Sequence, residues 1–492
     1  MRLKNPFLYN LIAVRLFFIF LVFSFFSFGG LNLFAEEKNA DAPKNYNLIV
    51  LCLDSLRADH LGCYGYPRNT TPHIDSLARS GILFEWAISQ SSFTLPSIAS
   101  FFTSEYAHEH HVDTVEKRLA ADKVTLAEIC RQHGYKTAAF IHNAVLLDPK
   151  YGLNKGFDAY EFGYNEKNRA PSFEITMPQA VEWISKNKAD NFFVFLHAND
   201  IHEPYHCPDE NFFDPSYKGL LDNEHLGWSR QFNTNNLNRS KREKKHIIAH
   251  YDAGIRYADT FIPRLRQVLK QLDLADKTIL VIFSDHGEIL GEQGERFCHG
   301  WGVSDVELRV PLIIVHPALY KKGLRIKHQI QLIDIMPTLL DFLGLRVNNV
   351  KMSGKSLLPL IEGRAEKDFN KYVYAQCFKG ESEKDVTFGG QKVFNSEMMV
   401  RTSRWKLIYS VWQSQADIRA ITPREVMLDN GVLTQWPLDQ PAYRLYDLGK
   451  DPREENNLIE QAPLKIRLEL LGELASRFHE KHSRTVGDDS AP

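Results

Sequence analysis

The chain has 492 residues, 44% of them hydrophobic and 24% charged. That is ordinary for a soluble globular protein and long enough for one large α/β domain with a smaller one beside it. The formal net charge of -2 excludes a global field drawing the chain to nucleic acid or to an anionic membrane. Chemistry on anions therefore has to be built locally, from metals or a few aimed donors.

Arg2, Lys4 and Arg15 precede the apolar run Leu16 to Phe28, and Leu33-Phe34-Ala35 ends in a small residue before Glu36-Glu37. Residues 1–35 thus have the three-part form of a secretory signal. If Leu11 to Val14 join the run across Arg15, an uncleaved N-terminal membrane anchor results. Either form predicts an exported protein, periplasmic or otherwise extracytoplasmic. Residues 36–46 are polar and read as a linker. Six cysteines at 52, 63, 130, 207, 298 and 377 permit disulfides in an exported chain, but none forms a Cys-x-x-Cys pair. Cys52, inside an apolar run, reads as a buried free thiol.

The run from Asn47 to Leu53 is short and almost wholly apolar, as a strand buried on both faces of a parallel sheet should be. Phe192 to Leu196, Thr278 to Phe283 and Leu312 to Val315 repeat the pattern. Helical patterns lie between them, including Thr125 to His133 and Tyr251 to Leu272. This alternation predicts a doubly wound, mostly parallel sheet. Asp54, His197, Asp200, Asp285 and His286 follow the ends of the runs, where open α/β sheets bind ligands. Residues 206–250 are charged and Asn-rich and read as a surface insertion bordering the site. Past residue 370 the pattern changes: Met398 to Thr402 and Trp405 to Tyr409 read as hairpin strands, and Ala462 to Lys481 as a final amphipathic helix.

In Ser92-Phe93-Thr94-Leu95-Pro96-Ser97 the Pro-Ser step predicts a helix starting near Pro96. Thr94 then stands at a helix N-terminus, where backbone N–H groups favour an anion. Asp54, Asp285 and His286, with the Thr94 oxygen, form a donor set suited to a divalent metal, Zn²⁺ or Mn²⁺. Asp200, His202 and His299 are candidates for a second metal or for contact with the ester oxygens. A metal-activated Thr94 oxygen attacking phosphorus or sulfur is the mechanism this pattern predicts.

These segments resemble the sulfatase family of the alkaline-phosphatase superfamily. Leu53–Ser89, Ser92–Val112, His197–Tyr205, Phe283–Glu292, Cys298–Pro317, Gln331–Leu345, Gly354–Gly363 and Leu445–Leu458 look like its motifs in order. The resemblance implies an alkaline-phosphatase-like α/β fold, with a catalytic domain over 47–370 and a smaller C-terminal α/β subdomain over 371–492. It also implies a hydrolase acting on sulfate or phosphate esters, carried on substrates such as glycans or lipid headgroups. The departures are specific. True sulfatases carry Cys or Ser, matured to formylglycine, in Cys/Ser-x-Pro-x-Arg; here those positions are Thr94 and Ile98. Threonine cannot give that aldehyde. Asp54-Ser55 and Asp285-His286 replace the acidic and Asp-Asn pairs of the family's calcium site, a softer set matched to Zn²⁺ or Mn²⁺ better than Ca²⁺. The family's substrate lysine is missing near Ile141-His142-Asn143-Ala144, leaving Asn143 or His142 to contact substrate. The expectation is a Thr94-dependent hydrolase favouring a phosphoester or phosphodiester. The alternatives are a sulfuric-ester hydrolase without formylglycine, a phosphoryl-headgroup transferase, and a non-catalytic binding member.

Overall fold

Asn47 and six apolar residues, Leu48 to Leu53, form strand β1 (Asn47–Leu53) with both faces covered, and the sheet grows outward from it. Its even residues Leu48, Val50 and Cys52 enter one apolar core, and its odd residues Ile49, Leu51 and Leu53 enter the core on the opposite face. That alternation explains why the run is continuously hydrophobic. The computed structural model describes residues 45–142, 144–163, 171–205, 207–218, 240–292, 297–318, 323–378, 387–388, 391–414, 428–429, 432–433 and 443–479. The expected export signal or anchor and Asn143 lie outside this set. Among the described residues no helix is long and apolar enough to cross a membrane.

The other strands of the main sheet are β2 (Ile82–Ile88), β3 (Lys136–His142), β4 (Ala159–Gly163), β5 (Phe192–Ala198) and β6 (Thr278–Phe283). After a two-stranded ribbon, β7 (Ile289–Leu290) with β8 (Phe297–Cys298), come β9 (Arg309–Val315) and β10 (Leu324–Gln331). The eight-stranded order is β10-β2-β9-β6-β1-β5-β3-β4. Neighbours are parallel except that β9 runs antiparallel to both β2 and β6, so the sheet is mostly parallel, as expected. Central β1 is flanked by β5 and β6, which brings the carboxyl ends of all three together.

Helices cover both faces. On one lie Thr94–Thr103, Leu126–Gln132 and Ile335–Leu343; on the other lie Ser172–Lys186, Lys241–Asp259 and Phe261–Gln271. The helix Thr94–Thr103 is pinned by aromatic contacts: Phe101 stacks on Phe283 with ring centres 4.8 Å apart, and Phe102 meets Phe195 edge-on at 5.0 Å. Each buried Phe contributes roughly 1.5–3 kcal/mol, which fixes the helix start against the ends of β5 and β6.

Two readings need correction. The pattern Tyr251 to Leu272 is not one helix, because Pro263 has no N–H to bond the Asp259 carbonyl, and the chain restarts as Phe261–Gln271. Part of the expected 206–250 insertion is also helical: Ser240 and Glu243 form a capping box that starts Lys241–Asp259. Residues 219–239 lie outside the described set.

A second, antiparallel sheet follows, with β11 (Val373–Phe378), β12 (Thr387–Phe388), β13 (Gln391–Arg401) and β14 (Trp405–Ser414). The ribbon β15 (Leu428–Asp429) with β16 (Val432–Leu433) precedes β17 (Tyr443–Asp447), which pairs with β14. Helix Leu464–His479 packs on this sheet through Leu470, Leu471 and Leu474. The described residues from Asn45 onward form one compact unit.

Candidate active site

Asp54 is the first residue after β1, and its N–H continues the parallel ladder to the Ala198 carbonyl at 2.9 Å. Asp285 and His286 leave β6 through Ser284. The chain then turns so tightly at Gly287 that a Cβ there would sit 2.1 Å from the Val306 carbonyl oxygen. Glycine is therefore required, and the Gly287 and Glu288 N–H groups bond the Glu307 and Val306 carbonyls at 2.7 and 3.1 Å. Across the gap, Thr94 opens its helix after Phe93 in extended conformation. That is two residues earlier than the Pro-Ser step indicated. The helix start is clamped to the turn by Ser97, whose hydroxyl donates to the Asp285 carbonyl at 2.7 Å.

The result is a closed cluster. One ligand atom each of Asp54, Asp285 and His286 lies within 4.8 Å of the others, all buried. The Thr94 hydroxyl faces His286 Nε2 at 3.1 Å, and that nitrogen is 3.5 Å from Asp54 Oδ1 and 3.6 Å from Asp285 Oδ2. His286 Nδ1–H donates to the Gly287 carbonyl at 2.9 Å, which turns Nε2 toward Thr94 and the carboxylates. Asp285 Oδ1 accepts from the His286 N–H at 3.0 Å and the Ser55 N–H at 3.4 Å. Burial alone would raise the Asp285 carboxyl, but the His286 and His197 imidazoles hold it well below the usual carboxylate range.

These residues suit a divalent cation. Asp285 Oδ2 and both ring nitrogens of His197 are buried without a hydrogen-bond partner, a cost of about 1–3 kcal/mol for each unsatisfied group. His197 Nε2 stands 3.7 Å from Asp54 Oδ2 and 4.0 Å from Asp285 Oδ2. A cation between Asp54, Asp285 and His286 would satisfy Asp285 Oδ2.

His299 and His202, part exposed where Asp285 and His286 are buried, mark the open side. The His299 ring stacks on His286 with centres 4.3 Å apart and meets His202 edge-on at 4.7 Å. His299 Nδ1 contacts Glu288 Oε2 at 3.2 Å. Burial and the neighbouring imidazoles lower His299 well below its ordinary value. Burial would lower His202 too, but the Asp54, Glu203 and Glu288 carboxylates outweigh it and raise the group. Burial pushes the Glu288 carboxyl up to about 8, against the pull of His202 and His286.

Asp200 takes a different place from the one its sequence position suggests. Its carboxylate accepts the Phe173 N–H at 3.2 and 3.4 Å, capping the start of helix Ser172–Lys186, and burial raises it to about 7. It belongs to neither group of close metal-ligating side chains. Ile98, at the family's arginine position, is wholly buried in the apolar core. His142 is buried at the end of β3. His197 was visible in the sequence only as a strand-end residue. Glu288 lay inside the Phe283–Glu292 motif without a role, and only its contact with His299 singles it out.

Known proteins share this arrangement of elements. The family model described as Sulfatase matches residues 46–345, and one described as N-sulphoglucosamine sulphohydrolase, C-terminal, matches 299–419. An ulvan-active sulfatase of Formosa agariphila is 24% identical over 450 residues, covering 89% of this chain and 81% of that protein. Arylsulfatase K of Homo sapiens is 25% identical, covering 87% and 82%. Among solved structures, a protein in complex with its substrate D-glucosamine-2-N,6-O-disulfate superposes with TM-score 0.69 at 20% identity, covering 91% of this chain and all of that one. The phosphonate monoester hydrolase of Agrobacterium radiobacter gives 0.67 at 20% identity, covering 88% and 95%. Because the first family model spans more than half of the sequence and takes in Asp54, Thr94, Asp285 and His286, this protein belongs to the sulfatase family, whose members hydrolyse ester bonds.

Proposed function

We propose that the protein hydrolyses an anionic ester through Thr94, with a phosphoester or phosphodiester as the favoured class. The observation that carries the reading is the Thr94 hydroxyl at a helix N-terminus, 3.1 Å from His286 Nε2 and facing two buried carboxylates. Asp54, Asp285 and His286 would hold a divalent cation, Zn²⁺ or Mn²⁺ by donor chemistry, which supplies charge neutralisation and Lewis-acid polarisation at the reacting centre.

The chain's own residues do the rest. The Thr94 oxygen, its proton released to solvent, attacks phosphorus or sulfur; the bond to the leaving alkoxide breaks and the alkoxide takes up a proton from solvent; water then cleaves the threonyl ester, releasing the phosphate or sulfate and restoring the Thr94 hydroxyl. Free N–H groups at the start of helix Thr94–Thr103 face the charge that develops on non-bridging oxygens. His202 and His299, on the open side, contact the ester oxygens. Ser97 holds the Thr94 turn and the Asp285 turn in register. Residues 371–492 form a smaller subdomain beside this site, and residues 1–35 direct export or anchor the chain.

A second reading, sulfate-ester hydrolysis without formylglycine, draws support from the ulvan-active sulfatase and arylsulfatase K at 24% and 25% identity, and a sulfated glycan fits it. Matched aryl phosphate, bis-aryl phosphate and aryl sulfate substrates, each assayed with wild type and Thr94→Ala, separate the two. Turnover of any of them that survives in Thr94→Ala removes Thr94 from the mechanism.

A further inference from the structure

We propose that Cys52, His197 and Asp285 form a second cation position, beneath the first and sharing Asp285 with it, that takes a thiophilic divalent ion. The inference goes beyond the ester reading and does not depend on which ester Thr94 attacks.

Cys52 and His197 are direct cross-strand partners in the parallel pair β1–β5, so their side chains leave the same face of the sheet at the same height. The Cys52 sulfur, a ring nitrogen of His197 and a carboxylate oxygen of Asp285 lie within 4.8 Å of one another, all wholly buried. Neither nitrogen of His197 has a hydrogen-bond partner, and neither does Asp285 Oδ2.

The bland account makes His197 a core aromatic, its ring 6.4 Å from that of Phe195. A phenyl ring would pack there without leaving two nitrogens unsatisfied, at a cost of about 1–3 kcal/mol for each group. Ligation by one nitrogen accounts for that nitrogen and for Asp285 Oδ2 together. Thiolate, imidazole and carboxylate together form a borderline-to-soft set that favours Zn²⁺, Co²⁺ or Cd²⁺ over Ca²⁺ or Mg²⁺. A carboxylate common to two adjacent cation positions is the arrangement of two-metal hydrolytic centres. On binding, the Cys52 proton leaves to solvent and the sulfur–metal bond takes its place.

The test uses the full chain, stripped with chelator and titrated with Co²⁺. Wild type is expected to take up two ions by elemental analysis and to show thiolate-to-cobalt charge-transfer absorption in the near ultraviolet. Cys52→Ser should bind one ion and lose that absorption, whereas Asp54→Asn should keep it while losing an ion. One ion per wild-type chain, two ions without sulfur absorption, or absorption that persists in Cys52→Ser each overturns the proposal. The wild-type measurements decide even if a variant fails to fold. A one-ion enzyme whose turnover still requires Thr94 would reject the second position and leave the ester reading standing.

Discussion

Asp285→Asn should separate two effects that a structural role would keep together. Asparagine keeps an oxygen at the Oδ1 position, where the His286 and Ser55 N–H groups donate at 3.0 and 3.4 Å. It changes Oδ2, which has no hydrogen-bond partner. In the metal-free protein, ligand oxygens of Asp54 and Asp285 lie within 4.8 Å of each other, so their repulsion is on the order of 3 kcal/mol at an effective dielectric constant near 20, less whatever the two imidazoles return. The attraction of the imidazoles, which holds the Asp285 carboxyl low, outweighs that repulsion, so the metal-free variant should be no more stable than wild type. With metal present the gap should widen. At a hundredfold excess over its dissociation constant, the ion stabilises wild type by about 2.7 kcal/mol, and the variant gains little. Urea unfolding with chelator and with Zn²⁺ gives all four numbers. A variant that gains as much from Zn²⁺ as wild type would refute the assignment of Asp285 as a ligand.

Thr94→Ala should lower kcat by roughly a thousandfold or more while leaving the circular dichroism and metal content unchanged, whereas Thr94→Ser should recover much of the rate. Gly287→Ala drives a Cβ to 2.1 Å from the Val306 oxygen. Displacing the Asp285–His286 turn should cost about 1–3 kcal/mol and reduce metal affinity, measured by titration calorimetry. Asp200 holds its proton to about pH 7 when folded, against about 3.9 for an unperturbed aspartate. Its contribution to stability is therefore full below pH about 4 and lost as pH rises through about 7, at roughly 1.4 kcal/mol for each pH unit of that window. Asp200→Asn should flatten this part of the stability–pH curve without changing metal content. A curve parallel to wild type would show that Asp200 is ionised in the folded protein.

Buried parallel strands announce themselves because both faces must be apolar, so β1, β5 and β6 and the polar residues ending them were legible as a set. Asp54, Asp285 and His286 could be grouped on that basis alone. Asp200 satisfied the same sequence rule and still turns toward the start of Ser172–Lys186, since two residues past a strand end the backbone direction is set by tertiary packing. His197 was harder to assign for the opposite reason: it lies within β5, where a polar residue looks like the end of the apolar run. The front of Lys241–Asp259 reads as surface charge because Lys241, Arg242, Lys244 and Lys245 precede its first buried aliphatic residue, Ile247. Capping by Ser240 and Glu243 was the available signal.

The same few substitutions also restrict which anion the centre can take. Ser55 stands where the family carries a second acid, and its hydroxyl donates to Asp54 Oδ1 at 2.9 Å, orienting a carboxylate without adding a charge. Two carboxylates remain at the first cation position, and one divalent ion there would cancel both; a second ion on Cys52 and His197 would add one net positive charge, its two less the Cys52 thiolate. Ile98 is sunk in the core. Arg57 directs its guanidinium to Asp59 at 2.8 Å and Glu292 at 2.6 Å. With only that first position filled, a monoanionic ester, whether phosphodiester or sulfate, meets a nearly neutral centre, whereas a dianionic phosphate monoester brings one further charge that neither Ile98 nor the engaged Arg57 receives. Bis-aryl phosphate should be cleaved with higher kcat/KM than the matching aryl phosphate at pH 8, where the monoester is dianionic. The preference should narrow as the pH falls toward 5 and the monoester takes up a proton. Faster cleavage of the dianion at pH 8 would mean that further positive charge, beyond one divalent ion, reaches the site, and would refute a nearly neutral centre.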